Sequence, residues 1–215
     1  SRTARVILAL GLAVGLEGCG WIEKQKASAA RQSLEDEAIA VAKAGDLPKV
    51  KAMIGRDPSL VNAVERSYPR KGRALEVGTM LTAAVSSGKL DLVELLLGAG
   101  LDPNRSGADK RMTPLHAAAD LEARDGSEVR IAEMLLARGA RVDPLADGGR
   151  TPVHALLNRG GDEDARLPLL RLFLSRPGAA AVQDGDGRTP LHFVSYFRQP
   201  VLLEALLLAG ADPNA

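Results

Sequence analysis

Three histidines, one cysteine and scattered acids are the groups of this 215-residue chain from which chemistry could be built. His116, His154 and His192 recur at intervals of 38 residues, each in the fourth place of a Thr-Pro-x-His segment. Histidines on like segments so spaced belong to successive copies of one unit. Units packed as helices lie about 10 Å apart, whereas zinc ligands converge on bonds of about 2 Å. The spacing therefore predicts three separate structural imidazoles. With Cys19 as the single cysteine, neither an internal disulfide nor a cysteine-based metal cluster can form. Asp184-Gly185-Asp186-Gly187 has the opening of a calcium loop but lacks its remaining ligands and its Glu, so it reads as a turn, as does Asp147-Gly148-Gly149-Arg150. There is no Gly-x-Ser-x-Gly elbow and no Gly-x-x-x-x-Gly-Lys loop. A hydrolase hidden among Glu122, Asp125, Glu128, Asp162, Glu163 and Asp164 would have acids but no histidine beside them, and carboxylates on exposed loops are weak general acids. The expectation is a protein with no catalytic residue, cofactor or metal.

The elements that carry these residues repeat. Thr79-Met80-Leu81-Thr82-Ala83-Ala84, Thr113-Pro114-Leu115-His116-Ala117-Ala118, Thr151-Pro152-Val153-His154-Ala155-Leu156 and Thr189-Pro190-Leu191-His192-Phe193-Val194 align on one pattern. An apolar cluster follows each: Leu95-Leu96-Leu97, Met134-Leu135-Leu136, Leu172-Phe173-Leu174 and Leu206-Leu207-Leu208. Three clusters lead into Gly-x-Asp-Pro or Gly-x-x-x-Asp-Pro turns; the fourth runs into Arg176-Pro177-Gly178, without the Asp. Residues 34–64 form an earlier, divergent copy. Each position has a physical reason. Thr caps a helix by accepting from a free N–H. Pro in the next place gives up an N–H that would have no helical partner. The Ala pair lets helices approach, and Gly closes the second helix. Aromatic residues are only 3% of a chain that is 46% hydrophobic, so burial must come from Leu, Ala and Val, which suits stacked short helices.

This pattern resembles the ankyrin repeat, with its period near 33 and its Thr-Pro-Leu-His-x-Ala signature. The resemblance implies an all-α solenoid of about five helix-turn-helix repeats with β-like finger loops. It also implies that the Thr, Pro and His of Thr113/Pro114/His116, Thr151/Pro152/His154 and Thr189/Pro190/His192 hold the repeat together. The 38-residue spacings place extra residues between helices, around Glu122–Ser127 and Gly160–Ala165, and a long finger runs from about Glu65 to Gly78. The resemblance further implies a binding face formed by fingers and inner helices. Its candidates are Tyr68, Arg70, Lys71 and Arg73 in the long finger, with Arg105, Lys110, Arg111, Arg150 and Arg188 on the others. The basic excess of the long finger favours a partner with an acidic patch. A net charge of +1 gives no argument for nucleic acid.

The first residues follow another logic. Arg2 and Arg5 precede an apolar run, Val6 to Leu16, and then Leu16-Glu17-Gly18-Cys19. A basic start, a short apolar stretch and a small residue are the layout of an export signal. The ending is similar to the lipobox of bacterial lipoproteins, with Glu17 departing from it, and implies a lipid on Cys19. The expected organisation is a signal peptide over 1–18, a lipidated cysteine and tether over 19–33, and the repeat domain over 34–215. Ser33 and Asp36 fit a capping box that would open a helix near residue 34. At the other end, Val201–Leu208 is apolar on more than one side. A further repeat, a partner or second copy covering this end, or burial of a leucine-rich helix on its inner side would each account for it.

These observations together predict a non-catalytic protein-binding module in a bacterial envelope, facing the periplasm and anchored to the membrane by lipid. A periplasmic immunity or inhibitor protein for a toxic enzyme is one version. A cytoplasmic or inner-membrane-anchored scaffold is the other reading.

Overall fold

The computed structural model describes residues 2–67, 75–107, 111–123, 125–159 and 162–215, the side chains of 2–22, 64–67 and 75–78 excepted. Among these residues lie ten α-helices and one hairpin. The helices are α1 (Arg2–Lys43), α2 (Leu47–Arg56), α3 (Met80–Ser86), α4 (Leu90–Gly98), α5 (Pro114–Asp120), α6 (Ser127–Ala137), α7 (Pro152–Asn158), α8 (Glu163–Leu174), α9 (Pro190–Tyr196) and α10 (Pro200–Leu208). They pack as five pairs. The first members form one row, α1 on α3 on α5 on α7 on α9, while α4, α6, α8 and α10 form a second. The first finger is an antiparallel hairpin of β1 (Val64–Ser67) and β2 (Leu75–Thr79), with a register shift between Glu65 and Arg66. This is the helix-pair solenoid that the repeat predicts.

Local chemistry sets the helix starts. Thr151 Oγ1 accepts from the His154 N–H at 3.4 Å, and Thr79 Oγ1 accepts from the Thr82 N–H at 3.2 Å. Thr113 with His116 and Thr189 with His192 close the same reciprocal box, and Pro begins α5, α7 and α9. The second repeat lacks both Pro and His. There Thr82 Oγ1 takes the imidazole's part, accepting from the Thr79 N–H at 2.7 Å.

One helix pair cannot bury its apolar stripe alone, so the core is a column between pairs. Leu92, Leu96, Leu115, Ile131, Leu135, Leu156, Leu170, Phe173, Leu202 and Leu206 are buried along it, with Ala84, Ala118 and Ala119 where the first helices approach. Polar ties cross between neighbours at the helix ends. Arg138 Nη1 donates to the Leu97 carbonyl at 2.5 Å, and Arg159 Nη1 to those of Ala119 and Leu121 at 3.0 and 2.5 Å. Arg166, only 2% exposed, donates to the Arg159 and Leu156 carbonyls at 2.6 and 3.4 Å. In the orientation that satisfies both groups, the Gln199 side-chain oxygen accepts from the same guanidinium at 2.9 Å. Cations at helix C-termini suit the exposed carbonyls and the helix dipole. Glu163 Oε2 does the converse, accepting from the Val201 and Leu202 N–H groups at the start of α10 at 2.9 and 3.3 Å. On the turn side, Asn104 Nδ2 donates to the Gly139 carbonyl at 2.9 Å while its Oδ1 accepts from the Arg141 N–H at 2.8 Å.

Two sequence expectations need correction. Ser33 does not begin a helix, because α1 runs unbroken from Arg2 to Lys43. Residues 21–43 contain no Gly or Pro and are rich in Ala, Glu, Gln and Lys, so nothing stops the helix where the capping box would start it. Its i,i+4 pairs continue it, Arg31 to Glu35 at 2.9 Å and Gln32 to Asp36 at 2.8 Å. Residues 23–30 are exposed, and the helix meets the repeats at Arg31, which pairs with Asp57 and donates to Ser59 Oγ at 2.8 Å. The second correction concerns the insertion expected around 160–165. Its latter part is helical: Asp162 caps Asp164 at 3.0 Å and α8 begins at Glu163.

The fingers before α7 and α9 touch through glycine. Gly185 N–H donates to the Gly148 carbonyl at 3.1 Å. A methyl group on Gly149, whose φ is +69°, would lie 2.2 Å from Gly185 N and 2.5 Å from its Cα. Gly139 has φ +86° but open space around such a methyl. Gly139→Ala therefore carries only the left-handed backbone cost, about 1–2 kcal/mol. Gly149→Ala carries that cost and a backbone collision, and is expected to lower the urea midpoint further; equal losses would contradict the finger contact.

Candidate partner-binding groove

The histidines hold the fingers against the helices. Thr113 N–H donates to His116 Nδ1 at 3.2 Å, and Thr151 N–H donates to His154 Nδ1 at 3.3 Å. A backbone N–H can only donate, so Nδ1 is the acceptor and the proton sits on Nε2. From there it reaches the next repeat: His116 Nε2–H donates to the Arg150 carbonyl at 2.9 Å, and His154 Nε2–H to the Arg188 carbonyl at 3.1 Å. Each ring thus caps its own helix and pins the following finger. His192 repeats the first half, accepting from the Thr189 N–H at 3.1 Å, and no hydrogen bond to its Nε2 occurs among the described residues. Its ring is exposed. Among the described residues, no three His, Cys, Asp or Glu side chains come together as a metal would require.

Pinning the carbonyls of Arg150 and Arg188 aims their side chains along one groove between fingers and first helices. Its C-terminal half, about 370 Å³, is lined by Arg150, Asn158, Arg188, His192, Phe193, Tyr196 and Phe197. Its N-terminal half, about 250 Å³, shares Arg150 and Asn158 and adds His116, Asp120 and Asp147. Phe193 forms the floor. It packs edge-on to His154 with ring centroids 5.2 Å apart, and the guanidiniums of Arg188 and Arg150 lie 5.2 and 6.0 Å from its centroid. Tyr196, 82% exposed, and Phe197, 43% exposed, stand at the rim with their rings 5.1 Å apart. Asp184 and Asp186 fix Arg188: its Nε donates to Asp184 Oδ2 at 3.0 Å and its Nη2 to Asp186 Oδ2 at 2.5 Å. Burial alone would raise the Asp184 carboxyl, yet the N–H groups of Arg188 and Asp186 and the Arg188 guanidinium hold it below its ordinary value.

Of the candidates from sequence, Arg150 and Arg188 come together in this groove. Arg105 and Arg111 are exposed and do not line it, Arg111 having a φ of +52°. Tyr68, Arg70, Lys71, Arg73 and Lys110 lie outside the described residues, as does the side chain of Cys19. Sequence reasoning missed Asn158, His192 as a lining group, and the aromatics. A signal for the last was present. Phe193, Tyr196 and Phe197 are half of the six aromatic residues, packed into five positions, and Phe193 stands where the other three repeats have Ala.

Burial pushes the His116 and His154 imidazoles below their ordinary pKa of 6.5, opposed by the finger carbonyl that each contacts. Both rings are then neutral in the fold, while the unfolded chain takes up their protons near pH 6.5. Below that value the unfolded state gains protons that the folded state refuses, and stability falls until the pH reaches the lowered folded values; above it these two groups add no pH dependence. Urea unfolding between about pH 7.5 and 5.5 should show stability declining with acidity. In His154→Gln the decline should be shallower, and an unchanged slope would contradict the assignment.

Comparison with known families finds the ankyrin-repeat model for three copies matching residues 38–146 and the single ankyrin-repeat model matching residues 186–215. No curated protein matches the chain. Residues 147–185 fall outside both matches, yet they contain Thr151, Pro152 and His154 in the same geometry as their neighbours. Repeats of this kind are generally non-catalytic protein–protein interaction modules. Helix pairs in two rows, Thr-Pro-x-His caps that reach the next finger, and family matches over more than half the length lead to one conclusion: this chain belongs to the ankyrin-repeat family.

Proposed function

We propose that this chain is an exported, membrane-tethered binding module that grips a protein partner in the groove between its fingers and first helices. The observation that carries the binding face is the exposed aromatic rim of Tyr196 and Phe197 beside Arg150 and Arg188. Tyr and Arg are the residue types that most often dominate interface energetics, and an aromatic floor under guanidiniums provides the apolar and charged contact they use. Rigidity adds to this. The groove's walls are pinned by buried hydrogen bonds, so little ordering cost falls due when a partner docks.

Export and tethering rest on the sequence: two arginines, an apolar stretch and the Leu16-Glu17-Gly18-Cys19 ending. Lipid on Cys19 would place the repeats at the periplasmic side of a bacterial membrane. The exposed helical stretch over residues 23–30 would then lie between anchor and repeats. No helix among the described residues is long and apolar enough to cross a membrane.

Two experiments test the halves separately. A photo-crosslinking residue placed at Asn158 or Tyr196 is expected to capture a partner in envelope preparations, and the same residue at Arg171, on the exposed side of α8, is expected to capture none. Adducts from Arg171 alone would place the binding face elsewhere. Labelled palmitate is expected in the wild-type chain expressed in a bacterium and absent from Cys19→Ala; equal label in both, or none in either, would remove the anchor.

A further inference from the structure

We infer that Arg150 is the groove's receptor for a carboxylate, so that the partner presents an Asp or Glu beside an apolar side chain. The inference rests on the groove being the binding face and adds what the groove selects. The argument starts from a comparison within the chain. Arg150 and Arg188 occupy the same place in successive fingers, 38 residues apart. Arg188 is neutralised by Asp184 and Asp186, four and two residues before it. The positions four and two before Arg150 are Ala146 and Gly148, which have no carboxylate to offer. Asp147 is occupied locally, accepting from the Gly148 N–H at 3.2 Å. Among the described residues no ion pair reaches Arg150, and its Nε is buried with no hydrogen-bond partner.

Position then matters as much as the missing partner. Arg150 is the charged group that lines both halves of the groove, and its guanidinium lies 6.0 Å from the centroid of the Phe193 floor. Because it is half-buried, part of the desolvation that an ion pair demands has already been met in the free protein. Its backbone is pinned on both sides, by Ala146 N–H donating to its carbonyl at 2.8 Å and by His116 at 2.9 Å, so the side chain projects from a fixed base. Among the described residues, no carboxylate lines the C-terminal half of the groove to compete for it. Around it stand Phe193, Tyr196 and Phe197, which offer apolar contact, and the acceptors beside them are neutral, the tyrosine oxygen and the Asn158 amide oxygen. A guanidinium with free terminal N–H groups prefers a planar anion that accepts two of them at once, which a carboxylate does. An acid next to Leu or Phe would set the anion on Arg150 and the apolar group on the aromatic floor and rim.

The test uses the full chain against immobilised short peptides, each with an Asp or Glu beside a Leu or Phe, and matched copies with the acid replaced by Asn or Gln. The proteins are wild type, Arg150→Gln, Tyr196→Ser and, as a control outside the groove, Arg171→Gln. Arg150→Gln leaves the finger carbonyl that His116 uses in place, so the fold is expected to survive, and its urea midpoint checks this. Wild type and Arg171→Gln are expected to bind the best acidic peptides about tenfold more tightly than their amide copies. Arg150→Gln should lose that preference and keep the weaker residual binding. Tyr196→Ser should weaken acid and amide copies alike. Acid and amide copies bound equally by wild type, a preference that survives in Arg150→Gln, or no binding to any peptide would each overturn the inference. If binding is lost in Tyr196→Ser but shows no preference for acid, the groove reading stands and only the carboxylate fails. If binding ignores both groove substitutions, the groove reading fails with it.

Discussion

One hydrogen bond organises this molecule: a neutral imidazole, protonated on Nε2, given to the backbone carbonyl of the next repeat's finger. It is a constraint between repeats, since His116 and Arg150 are 34 residues apart, as are His154 and Arg188. Apolar stacking supplies most of the driving force, because Leu96, Leu135, Phe173 and Leu206 are fully buried in a column of helix pairs that no single pair could close. Stacking is tolerant of small slides, however, and a hydrogen bond at about 3 Å is not. The histidines turn a pile of helix pairs into a register. Asn104 performs the same task on the opposite turn, with its carboxamide bridging the Gly139 carbonyl and the Arg141 N–H.

Register is what gives the groove its composition. The carbonyl that each imidazole holds belongs to an arginine, so fixing the backbone fixes where the guanidinium begins. The glycine contact between Gly148–Gly149 and Gly185 brings the two fingers to hydrogen-bonding distance, and the two arginines with them, over one phenylalanine ring. In one finger the charge is satisfied from within, by Asp184 and Asp186. In the other the same place has Ala146 and Gly148. The skeleton treats the two repeats alike while the surface does not, and a repeat protein gains selectivity by such differences without disturbing its stack.

The skeleton was legible because its signals are local and recur in step. Thr, Pro and His three places apart define a cap wherever they appear, and a leucine cluster at a fixed distance behind them defines the second helix. The groove was less legible because its defining contacts are not local. Nothing near Arg159 announces that it will donate to Ala119 and Leu121, and nothing near Arg166 announces a fully buried cation shared between α7 and Gln199. The reading of Ser33 failed for a different reason. A capping pattern states that a helix could begin there, and only a breaker before it would require that; residues 21–32 offer none. Phe193 in an alanine position was visible, but its consequence, a floor shared by two arginines, needed the neighbouring fingers in place.

The hydrogen-bonding state of the imidazoles is the point on which this account turns, and nitrogen-15 NMR of histidine-labelled protein at neutral pH measures it directly. Two rings, His116 and His154, should show an unprotonated Nδ1 and a protonated Nε2 in slow exchange with water, and that pattern should persist as the solution is acidified toward the ordinary histidine range. Rings protonated on Nδ1, or rings that exchange freely and charge like a solvent-exposed imidazole, would mean that the fingers are not held by these bonds and that the groove has some other origin.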